Sequence, residues 1–419
     1  MLRIFVSHST ARDPAVARLC GALVTALRAE KHQVLFDRDT LRPGTSWRST
    51  LNVWMSGCDV AIVVLSRDAL TSPYVAYEAS ILGFRKARNP SFGLLPVLVE
   101  PVTLKAVEGS ALDPTTIDEI HPLFTAQNNA AGLIDQVLAQ LSELEPNNTP
   151  LDRAAQSLRE LLQRAQISDE RMRERLEELD VDVPPWVPGE DLRGRLALSM
   201  LAAGLEGNAR FIRQIQPLPG GDGQELIDLL GCSWVDYRAI RGIPEAAQQG
   251  RVIATNASHD VTAKMYVKRS SIEESLKPSG SWRFAAVDAN VAPPDDPAGE
   301  GESPELDELV AQVRDALRQP FGTRDQAKLD DYLKVLRKEE EPVFVALPAD
   351  RVTAELLAGL GRIFAGVSFF LLTGTHGLPQ PLLPNAEWLE PELDPEAEAA
   401  FADLYRRKSR VLQIPNIGA

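Results

Sequence analysis

The residues best suited to chemistry in this 419-residue chain lie in Ser72-Pro-Tyr-Val-Ala-Tyr-Glu78. The segment opens a predicted helix directly after an apolar strand, Val60-Ala-Ile-Val-Val-Leu65, which ends at Ser66. A carboxylate there lies beyond the carboxyl end of a buried parallel strand, the edge at which open α/β sheets bind ligands. Glu78 follows Tyr74 by about one helical turn, so the two side chains share a face. An aromatic ring beside a carboxylate on one rim can stack a base and hold a ribose. The same pattern also fits a solvated helical Glu and a packing Tyr, since most helical glutamates are surface residues.

The elements that must position Glu78 are legible around it. The chain starts Leu2-Arg-Ile-Phe-Val6, a short strand, and continues Ser7-His8-Ser9-Thr10. A helix follows from about Pro14 to Ala29, with Val16, Leu19, Cys20, Leu23, Val24 and Leu27 at helical spacing. Val34-Leu-Phe36 is the next strand, and Asp37-Arg-Asp39-Thr-Leu41-Arg-Pro43-Gly44-Thr-Ser46-Trp47 leads into an amphipathic helix through about Met55. Gly93 to Leu98 is apolar enough for a strand buried on both faces. A fifth strand is expected near 117–123, and Ala131 to Leu141 closes the domain as an amphipathic helix.

This order of motifs resembles the bacterial branch of the Toll/interleukin-1 receptor (TIR) domain family over about residues 1–141. "IFVSHST" is similar to the first strand and loop of those domains, "LFDRDTLRPGTSW" to the second strand and the long loop after it, and "CDVAIVVLSRDALTSPYVAYEA" to the third strand and the helix carrying the family's glutamate. The resemblance implies a flavodoxin-like fold, a parallel five-stranded sheet with helices on both faces. It implies that Glu78 is the catalytic residue of the NAD+-cleaving members. Tyr74 falls where the family often has a Trp that stacks on the dinucleotide. Ser7 and His8 match first-loop residues lining the nucleotide pocket. Asp37, Arg38 and Leu41 lie in the loop that shapes the pocket and meets a neighbouring subunit. Trp47 matches a frequent aromatic with a structural role.

Length and composition call for more than this one module. The expected domains are 1–145 (TIR), 146–189 (a linker and a charged helical hairpin) and 190–419, a C-terminal α/β regulatory or sensing region. With 44% hydrophobic and 25% charged residues, the chain reads as a soluble globular protein. No apolar run reaches the ~18 residues of a membrane span, and a strand starting at Leu2 argues against a leader peptide. Cys20, Cys58 and Cys232, without metal-ligand spacing, fit a reducing cytoplasm. The five histidines are scattered, so no metal site is expected. Residues 1–140 hold 13 basic and 13 acidic side chains; the remaining 31 and 46 place the whole net charge of −15 after them. Such an acidic region repels nucleic acid. Lys264–Arg269 and Arg406–Arg410 are the two short basic clusters in it.

Within the connector, Leu158, Leu161, Leu162 and Ala165 make an apolar stripe that Met172, Leu176 and Leu179 continue, with Ser168 as the N-cap of the second helix. So short a pair must pack on a neighbouring domain or another copy. Farther on, Pro342 to Leu347, a helix at about 352–364 and Val367 to Leu372 form a strand–helix–strand unit. Trp234 to Tyr237, Arg251 to Ala254 and Trp282 to Val287 are further strand candidates. Gly220 to Gly223 reads as a turn and Ala292 to Pro304 as a mobile loop. There is no GxxxxGK[ST] segment of a P-loop ATPase.

Two function classes follow from the resemblance. The first is an NAD+ glycohydrolase, with NAD+ as substrate and no cofactor. It would be activated by self-association of TIR domains under an unknown ligand or protein partner of the C-terminal region, in bacterial antiviral defence. The alternative is a non-enzymatic TIR scaffold for signalling, or an effector that interferes with host TIR signalling. Departure of nicotinamide, already a cationic leaving group, leaves an oxocarbenium-like ribose. One carboxylate near the ribose hydroxyls stabilises that charge without a general acid or a metal.

Overall fold

The computed structural model describes residues 1–9, 13–36, 47–112, 115, 117, 120–125, 129–146, 149–165, 167–179, 192–212, 222–273, 282–287, 304–321, 323, 325–338, 341–374, 386–390 and 392–412. The chain forms two compact units, one built on Met1–Phe211 and the other on Ile212–Ile272 and Leu276–Ala419.

The first unit contains β1 (Arg3–Ser7), α1 (Pro14–Ala29), β2 (Gln33–Leu35), α2 (Trp47–Gly57), β3 (Val60–Leu65), α3 (Arg67–Leu70), α4 (Pro73–Arg88), β4 (Gly93–Val99), α5 (Leu104–Glu108), β5 (Leu123–Thr125) and α6 (Ala130–Ser142). The five strands run parallel in the order β2-β1-β3-β4-β5. Every residue of β3 is buried, as a central strand covered on both faces requires. One face packs Ile4, Val6, Ile62, Val64, Val97 and Val99 against the apolar stripes of α1 and α6. On the sheet, α4 packs against β1 and β4. The chain leaves β1 toward β2 and leaves β3 toward β4, so the order reverses between β1 and β3. That reversal opens a crevice at their carboxyl ends. The fifth strand lies at 123–125 and meets the span expected at 117–123 only at Leu123.

Local chemistry fixes the helices that flank the crevice. Asp13 accepts the Ala15 and Val16 amides at the start of α1, with Pro14 at the first helical position. Ser72 accepts the Val75 amide at the start of α4, again followed by Pro, and Arg85, Lys86 and Arg88 occupy the last turn where the helix dipole favours cations.

The same unit continues through α7 (Pro150–Arg164), α8 (Asp169–Leu179), α9 (Leu192–Gly207) and the start of α10 (Ala209–Ile212). The sequence-based boundary at residue 190 therefore differs from the structure, which groups the described residues of 192–211 with the TIR-like part. Thr149 and Asp152 form a capping box, and the first helix of the expected hairpin starts at Pro150. Leu151, Ala154, Leu158, Leu161 and Leu162 are buried. Both α7 and α8 pack on α9, and α7 and α9 pack on α2, which supplies the partner the hairpin needs. In α9, Gly204 at φ 62° adopts a left-handed conformation. Asn208 donates to the Met200 and Gly204 carbonyls there, at 2.8 and 2.7 Å.

Unit two holds a second parallel sheet: β6 (Ile253–Thr255), β7 (Arg283–Ala286), β8 (Val343–Pro348), β9 (Val367–Leu372) and β10 (Glu387–Trp388), in the order β10-β6-β9-β8-β7. Its helices are α11 (Asp222–Gly231), α12 (Ile243–Gln248), α13 (Asp260–Glu273), α14 (Pro304–Phe321), α15 (Gln326–Lys338), α16 (Ala354–Ile363) and α17 (Pro395–Leu412). The expected strand–helix–strand unit is β8-α16-β9, two adjacent parallel strands. Trp234 to Tyr237 is not a strand. It joins two 3-10 turns because Asp236 accepts the Arg238 amide and pairs with its guanidinium, a local alternative to a ladder. Helix α11 starts at Asp222, inside the segment expected to be a turn. The loop expected at 292–304 lies outside the described residues up to Pro304, where α14 begins.

Arg3 ties the amino-terminal edge of the first sheet together. Its side chain meets Asp59, which precedes β3, at 2.7 Å, and Asp152 of α7 at 2.7 and 2.8 Å. Burial works against both charges, but the hydrogen bonds dominate: Arg3 is raised, and the Arg3 guanidinium with Thr149 holds the Asp152 carboxyl below the ordinary carboxylate range. Because Asp152 is 35% exposed, Asp152→Asn should cost only about 1 kcal/mol near neutral pH. A carboxylate with a depressed folded pKa stabilises above its ordinary pKa and loses that contribution as pH falls through the folded value. Thermal melts should therefore show a gap between wild type and variant at pH 7 that narrows below about pH 4. A gap independent of pH would remove the ion pair as its cause.

Candidate functional site

Glu78 sits one turn into α4, and Ser7 is the last residue of β1. The fold brings them together at the crevice. Ser7 Oγ donates to Glu78 Oε2 at 2.5 Å, with Ser7 1% and Glu78 7% exposed. A surface glutamate is therefore excluded; this is a buried carboxylate held by a buried hydroxyl. Tyr74, one turn earlier on the same helix, is 56% exposed, so its ring is open to a ligand.

Other sequence-derived candidates fall at the same edge. The His8 ring stacks on Phe36 with centroids 4.5 Å apart, which joins the loop after β1 to the end of β2. Ser66, after β3, accepts the Ala69 amide and donates to the Ser9 carbonyl at 3.2 Å, fixing the start of the first loop. Asp37, Arg38 and Leu41 lie outside the described residues, as does the side chain of Trp47. At the carboxyl ends of β3 and β4, a cleft of about 230 Å³ is lined by Asp13, Ser66, Arg67, Glu100 and Pro101 among others, and neither Ser7 nor Glu78 is part of its wall. The sequence reading did not anticipate it, because its walls come from three separate turns.

Two further contacts of α4 were also missed. Tyr77 Oη donates to Asn52 Oδ1 of α2 at 2.8 Å. Arg85, 5% exposed, donates to the Met55 and Cys58 carbonyls and lies over the Phe92 ring. A basic residue among Ile81, Leu82 and Phe84 was the available signal for the second. Burial pushes the neighbouring Cys58 thiol up, against the nearby Arg85 charge.

In the second unit, the basic clusters are largely used in helix packing. Lys264 pairs with Asp228 at 2.7 Å and Lys268 with Glu225 at 2.6 Å. Tyr405 donates to Asp228 at 2.5 Å, and burial with the Asp228 charge pushes its phenol up. Arg407 pairs with Asp403. The amino end of α13 is filled by Glu398 of α17, which accepts the Ser258 and His259 amides and the Thr262 hydroxyl. Among the described residues, no helix is long and apolar enough to cross a membrane, and no group of three or more His, Cys, Asp or Glu is placed to hold a metal.

Ser7→Ala removes a donor from a buried carboxylate. We expect a loss of roughly 1–3 kcal/mol in denaturant melts, and an unchanged midpoint would contradict the contact.

Comparison with known proteins agrees with this geometry. Residues 4–133 match the TIR domain family model, and the C-terminal region matches no family model. No curated protein matches the chain. The sheet order, the crevice glutamate and the family match together make the N-terminal part of this chain a TIR domain.

Proposed function

We propose that the TIR-containing unit hydrolyses NAD+ at the nicotinamide–ribose bond. TIR families contain both NAD+-cleaving and scaffolding members, and the observation that favours catalysis is the buried Ser7–Glu78 pair. Burying a carboxylate is costly even when a hydroxyl donates to it. At a switch-point crevice such a group is a natural electrostatic stabiliser.

In this reading the nicotinamide ring leaves with the electron pair of the glycosidic bond and becomes neutral. Glu78 stabilises the oxocarbenium-like ribose. Water then adds to the anomeric carbon and loses a proton, giving ADP-ribose, nicotinamide and H+. Tyr74 stacks on the dinucleotide. Ser7 and His8 line the nucleotide pocket, and Asp37, Arg38 and Leu41 complete it between assembled copies. TIR domains commonly self-associate, and the C-terminal region drives that assembly when its own ligand or partner binds. Depletion of NAD+ in bacterial antiviral defence is the biological role, on family analogy alone.

Glu78→Gln keeps size and removes charge. Nicotinamide release should fall about 10²–10³-fold while circular dichroism stays native; normal turnover by the folded variant would end the enzymatic reading. Tyr74→Ala should raise the KM for NAD+ more than Tyr74→Phe or Tyr74→Trp, because stacking needs the ring and not the hydroxyl. Equal damage from Phe and Ala would move the role to the hydroxyl. Product identification by mass spectrometry, with and without conditions that drive assembly, separates hydrolysis to linear ADP-ribose from cyclisation.

A further inference from the structure

Helix α2 is gripped from two sides. On one side it packs against α7 and α9, and on the other against α4, the helix that carries Glu78. Leu51, Val53, Trp54 and Met55 are all buried, Trp54 to 1% exposure. So enclosed a helix moves only with its neighbours, because close-packed interiors transmit displacement instead of absorbing it.

The grip from α4 is polar and directional. Tyr77, adjacent to Glu78, donates to Asn52 in the middle of α2 at 2.8 Å. Arg85 caps the carboxyl end of α2 through the Met55 carbonyl and, at 3.2 Å, the Cys58 carbonyl. Met55 lies in the last turn of α2, the Asp59 amide goes to the Arg3 carbonyl instead of back to it, and a cation is favoured at that end of the dipole. The two contacts lie eight residues apart on α4, about 12 Å along its axis. A shift or rotation of α2 that keeps both must carry α4 with it. Glu78 is simultaneously tied to Ser7 of β1, so a displaced α4 breaks or strains the carboxylate's own contact.

We propose that α2 is the element through which the helices at 150–207 set the position of Glu78, with Tyr77, Asn52 and Arg85 as positioning residues. It follows that these helices belong to the active unit, and that a partner acting on them changes the Glu78 site. By linkage, a ligand at Glu78 changes their packing in return. The activity arm of this inference rests on the NAD+-cleaving reading; the mechanical arm does not.

The test uses the full chain with Asn52→Ala, Tyr77→Phe, the double variant, and Thr149→Ala, which removes the α7 capping box and changes no residue of α2 or α4. Amide hydrogen exchange is followed in peptides covering 47–57 and 73–88, with 14–29 of α1 as reference. The expected result is about five- to tenfold faster exchange in both α2 and α4 for Tyr77→Phe and for Thr149→Ala, with α1 unchanged. Nicotinamide release should show kcat reduced about tenfold with the KM for NAD+ within twofold. The double variant should be no worse than the worse single, the non-additivity expected of one shared contact. Faster exchange in α2 alone, or strictly additive losses, would overturn the coupling. A wild-type chain that releases no nicotinamide under any assembly condition would end the enzymatic reading, and the exchange result would still decide the coupling.

Discussion

A carboxylate buried at the end of a parallel sheet needs a donor, and the placement of that donor constrains much of the first unit. Ser7 is available to Glu78 because β1 lies beside β3 at the point where the strand order reverses. The short strand β1 is anchored at both ends. At its carboxyl end Ser7 meets Glu78 of α4, and at the other end Arg3 meets Asp59 and Asp152. An ion pair at one edge and a charge-assisted hydrogen bond at the other fix the register of β1 more firmly than backbone pairing alone. Any substitution that slides β1 disturbs both edges of the sheet at once.

The helices after the sheet are better described as part of its support than as a tether. Their sequence is charged and their stripes narrow, which is why they read as a connector. Yet α7 meets Arg3 through Asp152, and α9 supplies a nearly continuous buried surface. Arg175 shows how this packing accepts a charge. It is 5% exposed, donates to the Gly207 carbonyl at 2.6 Å, pairs with Glu178 and lies over the Phe211 ring. A guanidinium can be buried when its planar face meets an aromatic ring and its edges meet acceptors.

The second unit uses the same logic for a different end. Its sheet is again parallel, and its helix-terminal charge is met from inside: Glu398 fills the amino end of α13, and Asn256 exchanges two hydrogen bonds with the backbone of Leu393. Asp228, Lys264, Tyr405 and Gln224 form one satisfied polar cluster between α11, α13 and α17. Groups so well paired stabilise a packing arrangement, and they account for Lys264 and Lys268 without a ligand.

The sequence by itself determined the strand order along the first 141 residues, the helices starting near Pro14 and Ser72, and Glu78 as the residue to watch. Those properties are local: hydrophobic period and the spacing of two side chains on one helix. The β8-α16-β9 unit was legible for the same reason, since an apolar run, an amphipathic helix and another apolar run leave little choice. Tertiary structure alone decided that Glu78 is buried against Ser7, 71 residues away in sequence. It also assigned 192–211 to the first unit and directed Tyr77 and Arg85 to α2. Trp234 to Tyr237 misled because its side chains suit a strand, while Asp236 satisfies its own neighbour's amide. Contacts between distant segments depend on which faces meet, and a periodic pattern names the face without naming its partner.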